Sequence, residues 1–304
     1  MAVERAPPID SCIASLASVA CAGGAGENPA GIVVMLKVLL FAPISTSLYS
    51  RLVLHGLLRE QGVQVVGVAV RSPWNMQRIR SEWKRDGSRL AQKVIRKYLL
   101  RENAFRGIAV ENLASFAASV QLPKGTLKEL AGSWNLPYLV CRDLSADECA
   151  QFVFQHAPDV IVFTGGGLIR QNILQIPPLG VLNCHTGILP AYRGMDVVEW
   201  TALECAIQKV GFGVSLHYMD KGVDTGPVLL VKRFDPVEGD TFSTIRMRLE
   251  VEMVRVMLAG VRGIVSGDLH AHAQTPLAGR QYFVMHPRLK AVAEENLKKS
   301  LRNS

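Results

Sequence analysis

An alternation of short apolar runs with helix-patterned stretches is what most constrains this chain. LKVLLFA at 36–42 reads as a buried strand bounded by Pro43. Residues 45–61 follow with Leu48, Leu52, Leu54, Leu57 and Leu58 as an apolar stripe, and 64–70 reads as a second strand. A strand, helix, strand unit of this length requires a crossover and so predicts parallel pairing. The pattern resumes with PYLVCRDL, a helix over 148–156, DVIVFTGG as a central strand, GVLNCH, and a helix over 197–208. VGFGVSLHYMD and GPVLLVKRF supply further strands. The expected fold is α/β, an open, doubly wound, mostly parallel sheet. After Phe234 the pattern turns helical, with one long amphipathic helix over 238–267 capped near Asp240 or Thr241. GRQYFVMHPRLK then reads as a short strand or extended arm, and a basic helix ends the chain.

A chain of 304 residues accommodates one large domain or two modest ones, each with its own core. With 49% hydrophobic and 20% charged residues it has a globular composition. No apolar run reaches the roughly 20 residues that span a bilayer. Residues 1–34, rich in Ala, Ser and Gly, are expected to be a disordered leader or the product of a start assigned too far upstream. The six cysteines (Cys12, Cys21, Cys141, Cys149, Cys184, Cys205) form no CxxC pair, and a reducing, cytoplasmic setting is expected. His270, His272 and His286 have no partners at ligand spacing, so no metal site is expected. The turn after the first strand reads FAPISTSLYS and lacks the GxGxxG of a dinucleotide-binding fold.

Chemistry concentrates in VLNCHTGILPAYRGMD and, some thirty residues on, YMDKGVDTGP. The first places Asn183 and His185 two positions apart, on one side of an extended segment, with Cys184 turned away. The second supplies Asp224 in a Gly/Pro-flanked loop. An amide, an imidazole and a carboxylate suit acyl transfer without a covalent enzyme intermediate: the amide donates to an oxyanion, the imidazole handles a proton, the carboxylate orients the imidazole. A buried Asn and a core His beside an ordinary turn are the plainer account of each residue alone.

NCHTGILPAYRG and MDKGVDTGPVLL together resemble the paired signatures of the folate-dependent formyltransferases, over roughly residues 36–72 and 130–235. The resemblance implies transfer of a formyl group from 10-formyltetrahydrofolate to an amine, with Asn183, His185 and Asp224 as catalytic residues. It also implies that Gly167, Leu168 and Ile169 of the TGGGLI loop, and Asp220, Lys221, Gly222 and Val223, border the folate. A protonated His185 is then expected to share the oxyanion with Asn183, its pKa raised by Asp224. One departure stands out: the family commonly reads His-Pro-Ser where this chain has His185, Thr186 and Gly187. The expected organisation is a catalytic domain over 35–235 with a basic helical insertion at 71–107, then a helical extension over 236–304.

That insertion holds eleven basic and three acidic residues, a surplus equal to the whole chain's formal net charge of +8. It suits a phosphorylated or nucleotide-linked acceptor such as an amino sugar. A methionyl-tRNA-type or secondary-metabolite acceptor is the alternative, as is a non-catalytic protein binding nucleic acid or a membrane surface. A small anionic amine is the favoured partner, nucleic acid the less favoured one, and a homo-oligomer stays open.

Overall fold

The computed structural model describes residues 35–72, 110–165, 167–275 and 278–302. The expected leader at 1–34, and all of the basic insertion beyond Ser72, lie outside the described residues. The strands are β1 (Leu36–Ala42), β2 (Val63–Arg71), β3 (Tyr138–Cys141), β4 (Val160–Phe163), β5 (Val181–His185), β6 (Tyr192–Gly194), β7 (Phe212–Tyr218), β8 (Val228–Phe234) and β9 (Arg280–Tyr282). The helices are α1 (Leu48–Leu57), α2 (Leu113–Ser119), α3 (Leu127–Ser133), α4 (Asp147–His156), α5 (Gln171–Leu174), α6 (Val197–Leu203), α7 (Phe242–Ser266) and α8 (Pro287–Arg302).

Seven strands form one sheet in the order β3-β2-β1-β4-β5-β7-β8. Pairing is parallel from β3 through β5, while β5–β7 and β7–β8 are antiparallel. The sheet is thus doubly wound and mostly parallel, as the alternation of apolar runs predicts. Strand order reverses between β1 and β4, and the carboxyl ends of such strands are where open α/β sheets build their sites.

The pleat of β1 shows how the core divides. Val38, Leu40 and Ala42 join the larger apolar cluster with α1 and α7, whereas Leu39 and Phe41 face the smaller cluster of Cys149, Val153 and Ile173. Alternate side chains of a strand must face opposite ways, so a strand buried on both faces reads as a continuous apolar run. Helix α1 is shorter than its stripe suggests because Ser47 accepts the Ser50 N–H and starts the helix there. Helix α7 opens with a capping box at Thr241 and closes at the left-handed Gly267. Helix α6 stops at Leu203, before a left-handed Cys205 at φ 54°, rather than running to 208. Helices α2 and α3, each begun by its own capping box at Asn112 and Thr126, occupy a stretch to which the sequence pattern assigns no element.

The arm after α7 forms β9 and pairs in parallel with β6, directly beside the end of β5. Tyr282 stacks on Tyr192 at 5.1 Å and donates to Glu204. No helix among the described residues is long and apolar enough to cross a membrane.

Candidate active site

Strand β5 presents Asn183 and His185 on one face, because the two are separated by a single residue of an extended strand. Cys184 faces the other way, its Sγ 3.5 Å from the Met253 carbonyl of α7. The antiparallel register sets His217 of β7 opposite Asn183, and Ser215 opposite His185. Directly opposed residues share a face, so four polar side chains meet at the carboxyl edge of the sheet. Asp224 enters from the β7–β8 loop at φ 53°, a left-handed conformation that costs a non-glycine residue about 1–2 kcal/mol.

The contacts are specific. The Asp224 carboxylate accepts the Gly194 N–H at 2.9 Å and lies 3.3 Å from His185 Nδ1 and 3.5 Å from His217 Nε2. The Nε2 of His185 is 2.9 Å from the Tyr192 carbonyl, and Nδ1 of His217 is 2.8 Å from the Tyr218 carbonyl. A carbonyl only accepts, so the network assigns a proton to each of these nitrogens. In its neutral form His217 then accepts at Nε2 from the Asn183 amide, 3.1 Å away. An amide carries two N–H donors, which leaves one for an incoming oxygen.

Ser215 locks the turn that follows His185, accepting the Leu189 N–H at 3.0 Å and donating to the Gly187 carbonyl at 2.7 Å. Gly187 leaves little room for a side chain at this turn. A Cβ there would stand 2.7 Å from His185 Nε2, 2.9 Å from Val197 Cγ2 and 3.0 Å from the Tyr192 carbonyl. The absent side chain is the space the imidazole occupies. Gly187→Ala is accordingly expected to break the His185–Tyr192 bond and destabilise the fold by about 1–3 kcal/mol, the usual cost of overpacking. Urea melts read this, and an unchanged midpoint would show that the turn absorbs the methyl group.

The electrostatics correct one expectation. His185 is only 7% exposed, and burial pushes its imidazole below the ordinary 6.5; the Asp224 carboxylate and Tyr192 carbonyl pull upward without overturning that. At neutral pH His185 is therefore neutral rather than a standing cation. For Asp224, burial acts to raise the carboxyl, but the neighbouring rings of His217 and His185 and the Gly194 N–H together hold it below 3.8. The result is an ionised carboxylate facing a neutral imidazole across a gap that one proton closes.

The residues expected to border a folate are spread around this centre. Gly167 takes φ 111°, and Leu168 is 75% exposed beside it. Ile169 instead packs into the core with Ile173 and Phe163, so its side chain supports the loop from beneath. The Asp220 carboxylate turns into its own loop, accepting from the Gly222 N–H and the Thr225 hydroxyl at 2.9 and 2.6 Å. Gly222 is exposed and Val223 half-buried on that loop. No group of three or more His, Cys, Asp or Glu among the described residues is placed to hold a metal ion. His217 was not legible as a site residue; only the β5–β7 register reveals it.

An amide, a buried imidazole and a carboxylate at the carboxyl edge of a doubly wound sheet are groups that suit acyl transfer. A family model described as formyl transferase matches residues 36–261, and the chain belongs to that family. The methionyl-tRNA formyltransferase of Desulfotalea psychrophila is 32% identical over 155 residues, which are 51% of this chain and 47% of that protein. The chain thus matches about half the length of its curated relatives. Among solved structures, glycinamide ribonucleotide transformylase 1 from Symbiobacterium toebii aligns at TM-score 0.52 with 19% identity, covering 83% of this chain and all of that one. A sugar N-formyltransferase from Shewanella sp. FDAARGOS_354 aligns at TM-score 0.50 with 13% identity, covering 86% and 87%. These two similarities bear on the fold alone.

Proposed function

We propose that this chain transfers a formyl group from 10-formyltetrahydrofolate to the primary amine of a small anionic acceptor. The observation that carries this reading is the convergence of Asn183, His185 and Asp224 on one point. The donor supplies the carbon that the amine attacks; as the carbonyl re-forms, the bond from that carbon to the donor nitrogen breaks, and the nitrogen leaves with the proton the amine has lost. Asn183 donates its remaining N–H to the oxygen on that carbon as charge develops there. His185 has Nε2–H engaged by Tyr192, so Nδ1 is the atom that takes the proton leaving the amine. Asp224 then faces an imidazolium 3.3 Å away and stabilises it. Exposed Leu168, the left-handed glycine before it and the exposed Lys221–Gly222 turn supply the apolar and backbone surface that a flat pterin ring takes.

The catalytic unit in this reading is 35–235, with 236–304 completing it, in the cytoplasm where reduced folates are used. The basic surplus of 71–107 favours a nucleotide-linked amino sugar as acceptor. The second reading, a methionyl-tRNA acceptor, draws on the names of the curated relatives. Calorimetric titration with a stable 10-formyltetrahydrofolate analogue tests the donor. Saturable binding is expected, and no heat up to millimolar analogue would sink the reading. Salt-steep nucleic-acid binding without any formyl transfer would favour a non-catalytic role instead.

A further inference from the structure

Asp224 keeps its left-handed backbone through a residue far along the chain. The Nε2 of Gln274 lies 2.9 Å from the Asp224 carbonyl and 2.6 Å from the Gly226 carbonyl. A primary amide has two N–H donors on one nitrogen, and here each points at one carbonyl of the catalytic loop. Gln274 is itself placed by the antiparallel bridge of His272 to Val228, with both backbone bonds at 2.8 Å. That bridge anchors the segment to the first residue of β8, where the Asp224 loop ends.

The same segment returns to the carboxylate from the other side. Tyr282 of β9 pairs with Gly194 of β6, and its carbonyl accepts the Met195 N–H at 3.0 Å. Gly194 is the residue whose N–H donates to the Asp224 carboxylate. Its φ is 96°, and a Cβ there would collide with the Tyr282 carbonyl oxygen, as one on Gly279 would with the Pro190 carbonyl. Two glycines thus let the arm lie directly on the strand that holds Asp224. Arg193 adds a 3.1 Å bond to the Gly279 carbonyl.

We infer that residues 272–275 and 278–285, beyond the 36–261 covered by the family model, form a clasp that positions Asp224, with Gln274 as its main positioning residue. Gln274 fixes the loop backbone, and β9 fixes the amide that meets the carboxylate. With both in place the carboxylate faces His185 and His217 together. The clasp rests on the formyl-transfer reading for its purpose but not for its geometry.

The test is Gln274→Met, which removes both donors at similar size and adds no charge. Two readouts are taken: formyl transfer as kcat and KM, and the pH titration of the His185 ring by NMR, which needs no substrate. The expected result is a fall in kcat of about 10–100-fold, with acceptor KM changed less than threefold. The His185 midpoint is expected to move to lower pH, because a displaced Asp224 no longer stabilises the imidazolium. Gln274→Ala is the second variant should the Met side chain disturb folding. A folded variant with an unmoved His185 titration overturns the clasp, whatever the activity. A moved titration in a protein that transfers no formyl group supports the clasp and removes only the proposed reaction.

Discussion

Asp224→Asn is expected to lower kcat about 10³–10⁴-fold, the scale seen when a buried carboxylate that orients an imidazole is made neutral. The fold should survive, because an asparagine oxygen still accepts the Gly194 N–H. What changes is the side toward His185. The oxygen that accepts the Gly194 N–H is also the one 3.3 Å from Nδ1, so an asparagine that keeps this bond turns its NH2 toward His217 and offers Nδ1 a neutral acceptor, without the charge that stabilises an imidazolium. Steady-state kinetics over a range of acceptor concentrations read the effect. Turnover within tenfold of the parent would show that proton transfer bypasses this pair. Stability carries a second signature. The Asp224 carboxyl is held below its ordinary value, so its stabilising contribution is complete above that value and is lost as pH falls through the folded one. The parent and the Asn variant should therefore converge in stability in acid, below about pH 4.

His185→Ala carries the second large effect, a loss of about 10²–10⁴-fold in kcat, typical of removing a general base. Its pH dependence is the sharper readout. Burial lowers the His185 imidazole below 6.5, so the neutral, proton-accepting form predominates at neutral pH. In the parent, kcat should fall as pH drops through that lowered value, and the variant should lose this ascending limb. The stability sign agrees. The unfolded chain binds the proton more readily, so the contribution is fully present above about 6.5 and is lost as pH falls toward the folded value. An ascending limb that persists in the variant would assign the proton to another group. If both residues serve one proton transfer, as proposed, the two losses should not add when combined.

Much of this site was legible because it is written in local pattern. Asn183 and His185 share a face through the two-residue period of a strand, and Asp224 was marked by the run that ends in Gly-Pro. His217 was missed because it is one polar position in an otherwise apolar strand, given a role only by the residue opposite it. Gln274 left no trace, as a lone glutamine between α7 and β9 matches no motif. The pKa of His185 was expected in the wrong direction. A neighbouring carboxylate can be inferred from sequence, whereas the burial that outweighs it depends on how closely the turn at Gly187 and the β6 strand pack over the ring.

Sequence alone determined the α/β class, the mostly parallel sheet, the long capped helix α7 and the three polar residues of the motif pair. Each depends on neighbours a few positions away, which propensity and periodicity record directly. Only the tertiary structure decided that β7 sets His217 against Asn183, that burial lowers the His185 imidazole, and that Gln274 meets the Asp224 loop while β9 pairs with β6. Strand register, desolvation and close backbone approach arise when surfaces distant in the chain meet, and no local pattern encodes them.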